Sequence, residues 1–306
     1  MAQVEESMER PANEPVATPE VAVSEAVPGR SWPSFRLAVS PGSQALRVIL
    51  PLLAIGIFLL LWNYVPQWMG LHSYEVPTFS QDINALFSEW GTIGPNLEIT
   101  ITDALVGFAV GNLLAVIGAI LFSQSRLIEW TFFPLAILMQ TIPIIVIGPV
   151  FVIFFTVFGW GPYDPLPIIG LGSKPVLGVT ILITFFPTLV NMTVGLRAID
   201  PNLYDFMRLI NASRWTILWR LRLPSSIPYL FSSFRITSTL CFVGAVVGEW
   251  MLANNTGIGG LINLFLLAIN KQGLWASVLA VSVSSMAFFG IVLIAERVLV
   301  PWREER

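Results

Sequence analysis

Six apolar runs dominate the chain, at residues 48–68, 104–122, 133–158, 176–196, 229–251 and 275–295. Each is near the length a helix needs to cross a bilayer, since a hydrocarbon core ~30 Å thick takes about 20 helical residues. A soluble fold would need a polar shell that this sequence cannot supply. Of its 306 residues, 55% are hydrophobic and 11% charged, against ~25% charged in ordinary soluble domains. The expected fold class is an all-α polytopic membrane protein with six transmembrane helices.

The runs carry further instructions. Trp62, Tyr64 and Trp68 close the first one as an interfacial belt. In the second, Gly107, Gly111, Ala115 and Ala119 recur every four residues and predict a small-residue face on which another helix can sit closely. The third contains Pro134, Pro143 and Pro149 and is expected to be broken or kinked, because proline removes a backbone donor. Upstream, residues 1–45 mix Glu5, Glu6, Glu9, Glu14, Glu20 and Glu25 with frequent proline, and read as a disordered cytosolic tail. Every Lys and Arg except Lys174 and Lys271 falls on one side of the six runs. The positive-inside rule then puts both termini in the cytosol. The expected organisation is the tail at 1–45, a six-helix domain at 46–300 and a short cytosolic end at 301–306.

Several chemistries lack their parts. The net charge of −3 offers no basic field for nucleic acid. The lone Cys241 and the lone His72 leave no disulfide framework and no metal site, and no catalytic residues stand out. Asp103, Arg235, Glu249 and Glu296 are expected near span ends, where headgroup contact can satisfy them, which disfavours a proton or sodium relay. The stretch from Gly170 to Pro175 lacks the spacing of a phosphate-binding loop. Energy must therefore come from another chain, unless the protein is a secondary transporter or a passive pore. A membrane-embedded enzyme has little to work with. Gln140, Thr141, Thr184, Asn191, Thr237 and Ser238 are uncharged polar groups inside the runs. Either they tie helices together or some line a solute path, for which Gln140 and Thr141 beside Pro143 are best placed. Glu249 is open to the same two roles near the outer face.

The longest internal connection, 197–228, reads as two short helices. Asp200 can cap a first helix that opens with Pro201. Asn211 can end it in left-handed backbone. Ser213 can cap a second helix, expected to stop at Pro224. The apolar groups Phe206, Met207, Leu209 and Ile210 on a surface helix call for a covering partner.

This loop resembles the signature of ABC-importer permeases, E-A-A, three residues, G, nine residues, I-x-L-P. Here Asp205, Phe206 and Met207 stand at the first three positions, Arg208 follows, and Asn211 is at the glycine. Ala212 and Ser213 come next, and Leu221, Leu223 and Pro224 close the motif without a gap. The resemblance extends through Val76-Pro77-Thr78, Gln140-Thr141-Ile142-Pro143, Phe185-Phe186-Pro187 with Asn191, and Gly257-Ile258-Gly259. These look like permeases of the nitrate/sulfonate/taurine/bicarbonate type. It implies a type I importer fold in the inner membrane, in which the loop is a coupling helix docked on an ATPase. The implied partners are two cytosolic ATPase subunits, a second permease copy and an extracytoplasmic solute-binding protein. ATP would be used by the ATPase chains, and no cofactor bound by this one. The translocation path would involve Gln140, Thr141, Asn191 and Glu249.

The end of the fifth run, Val243 to Trp250, looks more like the branch that carries riboflavin or thiamine pyrimidine precursors than the oxyanion and sulfonate members. The expected solute is a vitamin-like heterocycle, with nitrate, bicarbonate, taurine or an alkanesulfonate as the alternative.

Overall fold

The computed structural model describes residues 43–70, 76–157, 174–252 and 256–301, all helices and short connections with no strand among them. His72, the Pro- and Gly-rich segment 159–173, the chain before Ser43 and residues 302–306 lie outside the described residues. Two compact units divide the chain, Met1–Ala54 and Ile55–Arg306.

The helices are α1 (Ser43–Trp68), α2 (Phe79–Ser88), α3 (Trp90–Gln124), α4 (Arg126–Gln140), α5 (Ile144–Val157) and α6 (Lys174–Gly195). They continue with α7 (Pro201–Leu209), α8 (Arg214–Ile217), a π-helical turn (Leu218–Arg222), α9 (Leu223–Leu252), α10 (Gly257–Leu267) and α11 (Lys271–Leu299). Among the described residues, five stretches are long and apolar enough to cross a bilayer alone. The pair α4 and α5, bent by 111° at a short break, makes a sixth when the two are counted as one broken span. Pro143 sits in that break, where it has no N–H to continue the helical ladder, and Thr141 turns its hydroxyl back to the Leu138 carbonyl at 2.7 Å.

Three expectations need correction. The second crossing begins at Trp90 rather than near residue 104, so Asp103 lies inside a 35-residue helix instead of at its end. It is 1% exposed and buried within the fold, so snorkelling cannot satisfy it. The helix after Ser213 does not stop at Pro224. It runs on into α9 through the π turn, in which the Leu223 N–H donates to the Leu218 carbonyl five residues back. The widened turn shifts the hydrogen-bond register just before the residue that has no N–H to give.

The core of the second unit is built on α6, whose packing against α9 and α3 is the most extensive in the molecule. Gly107 and Gly111 allow the α3 approach. A methyl added at Gly107 would sit 2.3 Å from Thr180 Cγ2, and one at Gly111 would sit 2.0 Å from Thr184 Oγ1. Ala115 and Ala119 continue the same face, fully buried against Leu189, Met192 and Leu196. The four-residue spacing of small side chains therefore does what it predicted. Polar groups fasten the seam. Thr184 Oγ1 donates to the Gly107 carbonyl at 3.2 Å. Asn112 Oδ1 on α3 accepts from Thr188 on α6 at 2.5 Å and from Thr237 on α9 at 3.4 Å. Arg235 Nε on α9 donates to Glu296 on α11 at 2.5 Å. Elsewhere the Trp62 ring meets Phe79 and Trp275, each at 5.8 Å between centroids, which ties the end of α1 to α2 and α11.

Candidate functional site

Three places in the fold carry the residues singled out above. The first is the connection from α6 to α9. Asp200 Oδ1 accepts from the Asn202 N–H at 2.8 Å and caps α7, which Pro201 opens. At the other end Asn211 adopts φ +54. The Ala212 N–H reaches back to the Met207 carbonyl at 3.0 Å, closing the helix as a Schellman turn does. Ser213 Oγ then accepts from the Thr216 N–H at 3.2 Å to start α8. Asp205, Phe206, Met207 and Arg208 are thus on a separate two-turn helix, and Leu221, Leu223 and Pro224 are at the root of α9. None of the nine residues of α7 is buried. Phe206 and Ile210 are exposed, and Leu209 is 80% exposed, three apolar side chains on a helix with nothing over them.

The second place is the α4–α5 break. Gln140 and Thr141 line a cavity of about 420 Å³ together with Pro143, Phe186, Pro187 and Leu240. Among the described residues no charged side chain is in its wall. Asn191, one turn further along α6 than Pro187, does not contribute to that wall. Aromatic and apolar surface with two uncharged polar groups suits a neutral ring compound with a few hydrogen-bonding atoms.

The third place is where α3, α9 and the start of α10 meet. Glu249 is 2% exposed. Its Oε2 accepts from Thr100 Oγ1 at 2.9 Å and from the Gly259 N–H at 2.8 Å, while the Ile258 N–H donates to Thr100 Oγ1 at 2.8 Å. Gly257 has φ +72, and a methyl there would sit 2.2 Å from Glu249 Cδ. The carboxyl thus fills the N-terminus of α10 and stands apart from the cavity lined by Gln140. Asp103 lies on α3 one turn after Thr100, within electrostatic range of Glu249, and its Oδ1 is buried without a hydrogen bond.

Sequence reasoning missed Thr100 and Asn112, which hold these junctions, and the ion pair between Glu129 at the start of α4 and Arg197 after α6. A polar side chain on the small-residue face of α3 was the available signal for Asn112. The pair across 68 positions of chain had none. Among the described residues no group of three or more His, Cys, Asp or Glu side chains could hold a metal ion.

A family model described as "Binding-protein-dependent transport system inner membrane component" matches residues 111–304. The formylaminopyrimidine transport permease protein ThiX of Halalkalibacterium halodurans is 28% identical over 211 residues, covering 69% of this chain and 78% of that protein. The riboflavin transport system permease protein RibX of Chloroflexus aurantiacus is 29% identical over 212 residues, covering 69% of this chain and 74% of the relative. A solved amino acid ABC transporter crystallised with histidines shares the fold, with a TM-score of 0.54 at 13% identity over 69% of this chain and 95% of that one.

Proposed function

The chain belongs to the family of inner-membrane components of binding-protein-dependent transport systems, and on that premise we propose that it carries a vitamin-like heterocycle, riboflavin or a thiamine pyrimidine precursor, across the membrane. As a permease it is a transport subunit of an ABC importer. The work of hydrolysis falls to two separate ATPase chains. A second copy of the permease completes the pathway, and an extracytoplasmic binding protein delivers the solute.

One observation carries the coupling role: α7 has no buried residue and leaves Leu203, Phe206 and Leu209 exposed, next to the turn that leads into α9. A helix of this kind docks into a groove of a partner, here the ATPase. When the ATPase dimer closes, the displacement of α7 passes through Asn211, Ser213 and the π turn into α9. Asp205 and Arg208 on the same helix supply the polar contacts of the dock.

The solute reading is supported by two relatives named for a pyrimidine and a flavin, and by the uncharged wall around Gln140 and Thr141. Among the described residues of that wall there is no cation to pair with an oxyanion. The test is uptake into vesicles holding the permease, its ATPase and its binding protein, with riboflavin, a hydroxymethylpyrimidine, taurine and nitrate offered separately. ATP-dependent accumulation of a heterocycle alone is expected. Accumulation of taurine or nitrate instead overturns the solute assignment and leaves the permease reading intact. In the same vesicles Gln140→Ala with Thr141→Val should lower heterocycle uptake about tenfold, the effect of losing roughly one hydrogen bond to the solute.

A further inference from the structure

Where α3 ends and α4 begins, three arginines from distant parts of the chain converge. Arg126 opens α4, Arg197 follows α6 and Arg222 ends the π turn. With Phe122, Ser123 and Trp130 they line a polar pocket of about 370 Å³. One carboxylate answers them, Glu129, which pairs with Arg197. Neither Arg126 nor Arg222 meets a carboxylate among the described residues.

Arg222 is held in place and left incomplete. Its Nη1 donates to the Ser123 carbonyl in the last turn of α3 at 3.1 Å, and its guanidinium lies 6.0 Å from the Tyr204 ring of α7. Its Nε is buried with no hydrogen-bond partner. A buried guanidinium nitrogen without an acceptor is uncommon, because the lost hydration is not replaced. Three guanidiniums around one cavity, answered by a single carboxylate, fit an anion with several acceptor oxygens at tetrahedral spacing. On the rim, Trp130 is 71% exposed and Leu127 beside it is also exposed. Trp130 lines the pocket, and an exposed tryptophan there suits the boundary between headgroups and acyl chains.

We propose that this pocket binds a phosphate group, supplied by the headgroup of an anionic phospholipid on the Arg-rich side of the membrane. The site joins the ends of α3, α4 and α6 to the root of α9, and through Tyr204 it touches α7. Bound phosphate takes hydrogen bonds from the guanidiniums that line the pocket and fixes these ends together. The site stands independently of which solute is carried.

The experiment uses the full permease in phosphatidylcholine nanodiscs with and without phosphatidylglycerol, with retained lipid counted by native mass spectrometry. Wild type should retain phosphatidylglycerol over phosphatidylcholine, and Arg126→Gln should reduce that preference at least about tenfold, the effect of losing a hydrogen bond from a charged group to the phosphate. Arg297→Gln removes the same charge from the last turn of α11, away from the pocket, and should leave the preference unchanged. If Arg126→Gln and Arg297→Gln lower it equally, retention reflects the general positive charge of that face and the proposal fails. Arg222→Lys keeps the charge and removes the fork, and should lose the preference even though the protein still melts cooperatively. Inorganic phosphate added to phosphatidylcholine nanodiscs distinguishes the source. A rise in the wild-type melting temperature that Arg126→Gln abolishes keeps the phosphate site and assigns it to a free ion. No response to either phosphatidylglycerol or phosphate overturns it.

Discussion

Asp82 shows what a single buried side chain can do to this protein outside its membrane spans. It lies in α2, packed beneath α11, with neither carboxyl oxygen hydrogen-bonded. Burial raises it from 3.8 to about 7. The folded value lies above the unfolded one, so between 3.8 and about 7 the folded state holds the extra proton, and stability falls as pH rises through that window. The melting temperature in detergent should decline from pH 4 towards pH 7, and Asp82→Asn should flatten that slope. An unchanged slope in the variant would show that other groups set it. Single residues were the hardest thing to read from the sequence. Asp103 resembled a span-end charge only because the helix around it seemed to begin later than it does. Thr100 is an ordinary threonine until Glu249 and Ile258, about 150 positions away, are brought onto it. Their partners are set by tertiary packing, and local pattern has no access to that.

At the scale of elements, local chemistry was far more informative. Asp200 with Pro201, Asn211 and Ser213 are short-range signals acting over one turn, and each does in the structure what its chemistry predicts. The Pro143 break was equally legible. Pro224 was not, because a proline stops a helix only where the preceding register leaves its missing donor uncompensated, and the π turn changes that register. The helix α10 also went unread, since its eleven residues open with a glycine cluster and their N-terminus is completed by Glu249 from another helix. For α7 the consequence is testable. Phe206→Glu alters an exposed position on a helix without buried residues, so insertion and melting temperature should match wild type. ATP-dependent uptake should fall at least about tenfold, as at a central docking residue. Normal uptake in this variant would remove α7 from the dock.

For the molecule as a whole, the succession of apolar helices was legible, because bilayer thickness acts on composition and not on fine geometry. What the whole molecule adds is the α3–α6 seam. With no room for even a methyl at Gly107 or Gly111, these helices have no lubricating layer of flexible side chains between them. Spin labels on α3 and α6 should therefore report one distance throughout the ATP cycle, while labels on α4 and α5 change theirs. A shifting α3–α6 distance would contradict this. Two helices clasped backbone to backbone make a strut, and a strut delivers a push at its far end undiminished. A movement begun at the cytosolic root of the bundle would then reach the Glu249 junction at its other end as displacement, without being absorbed on the way as repacking.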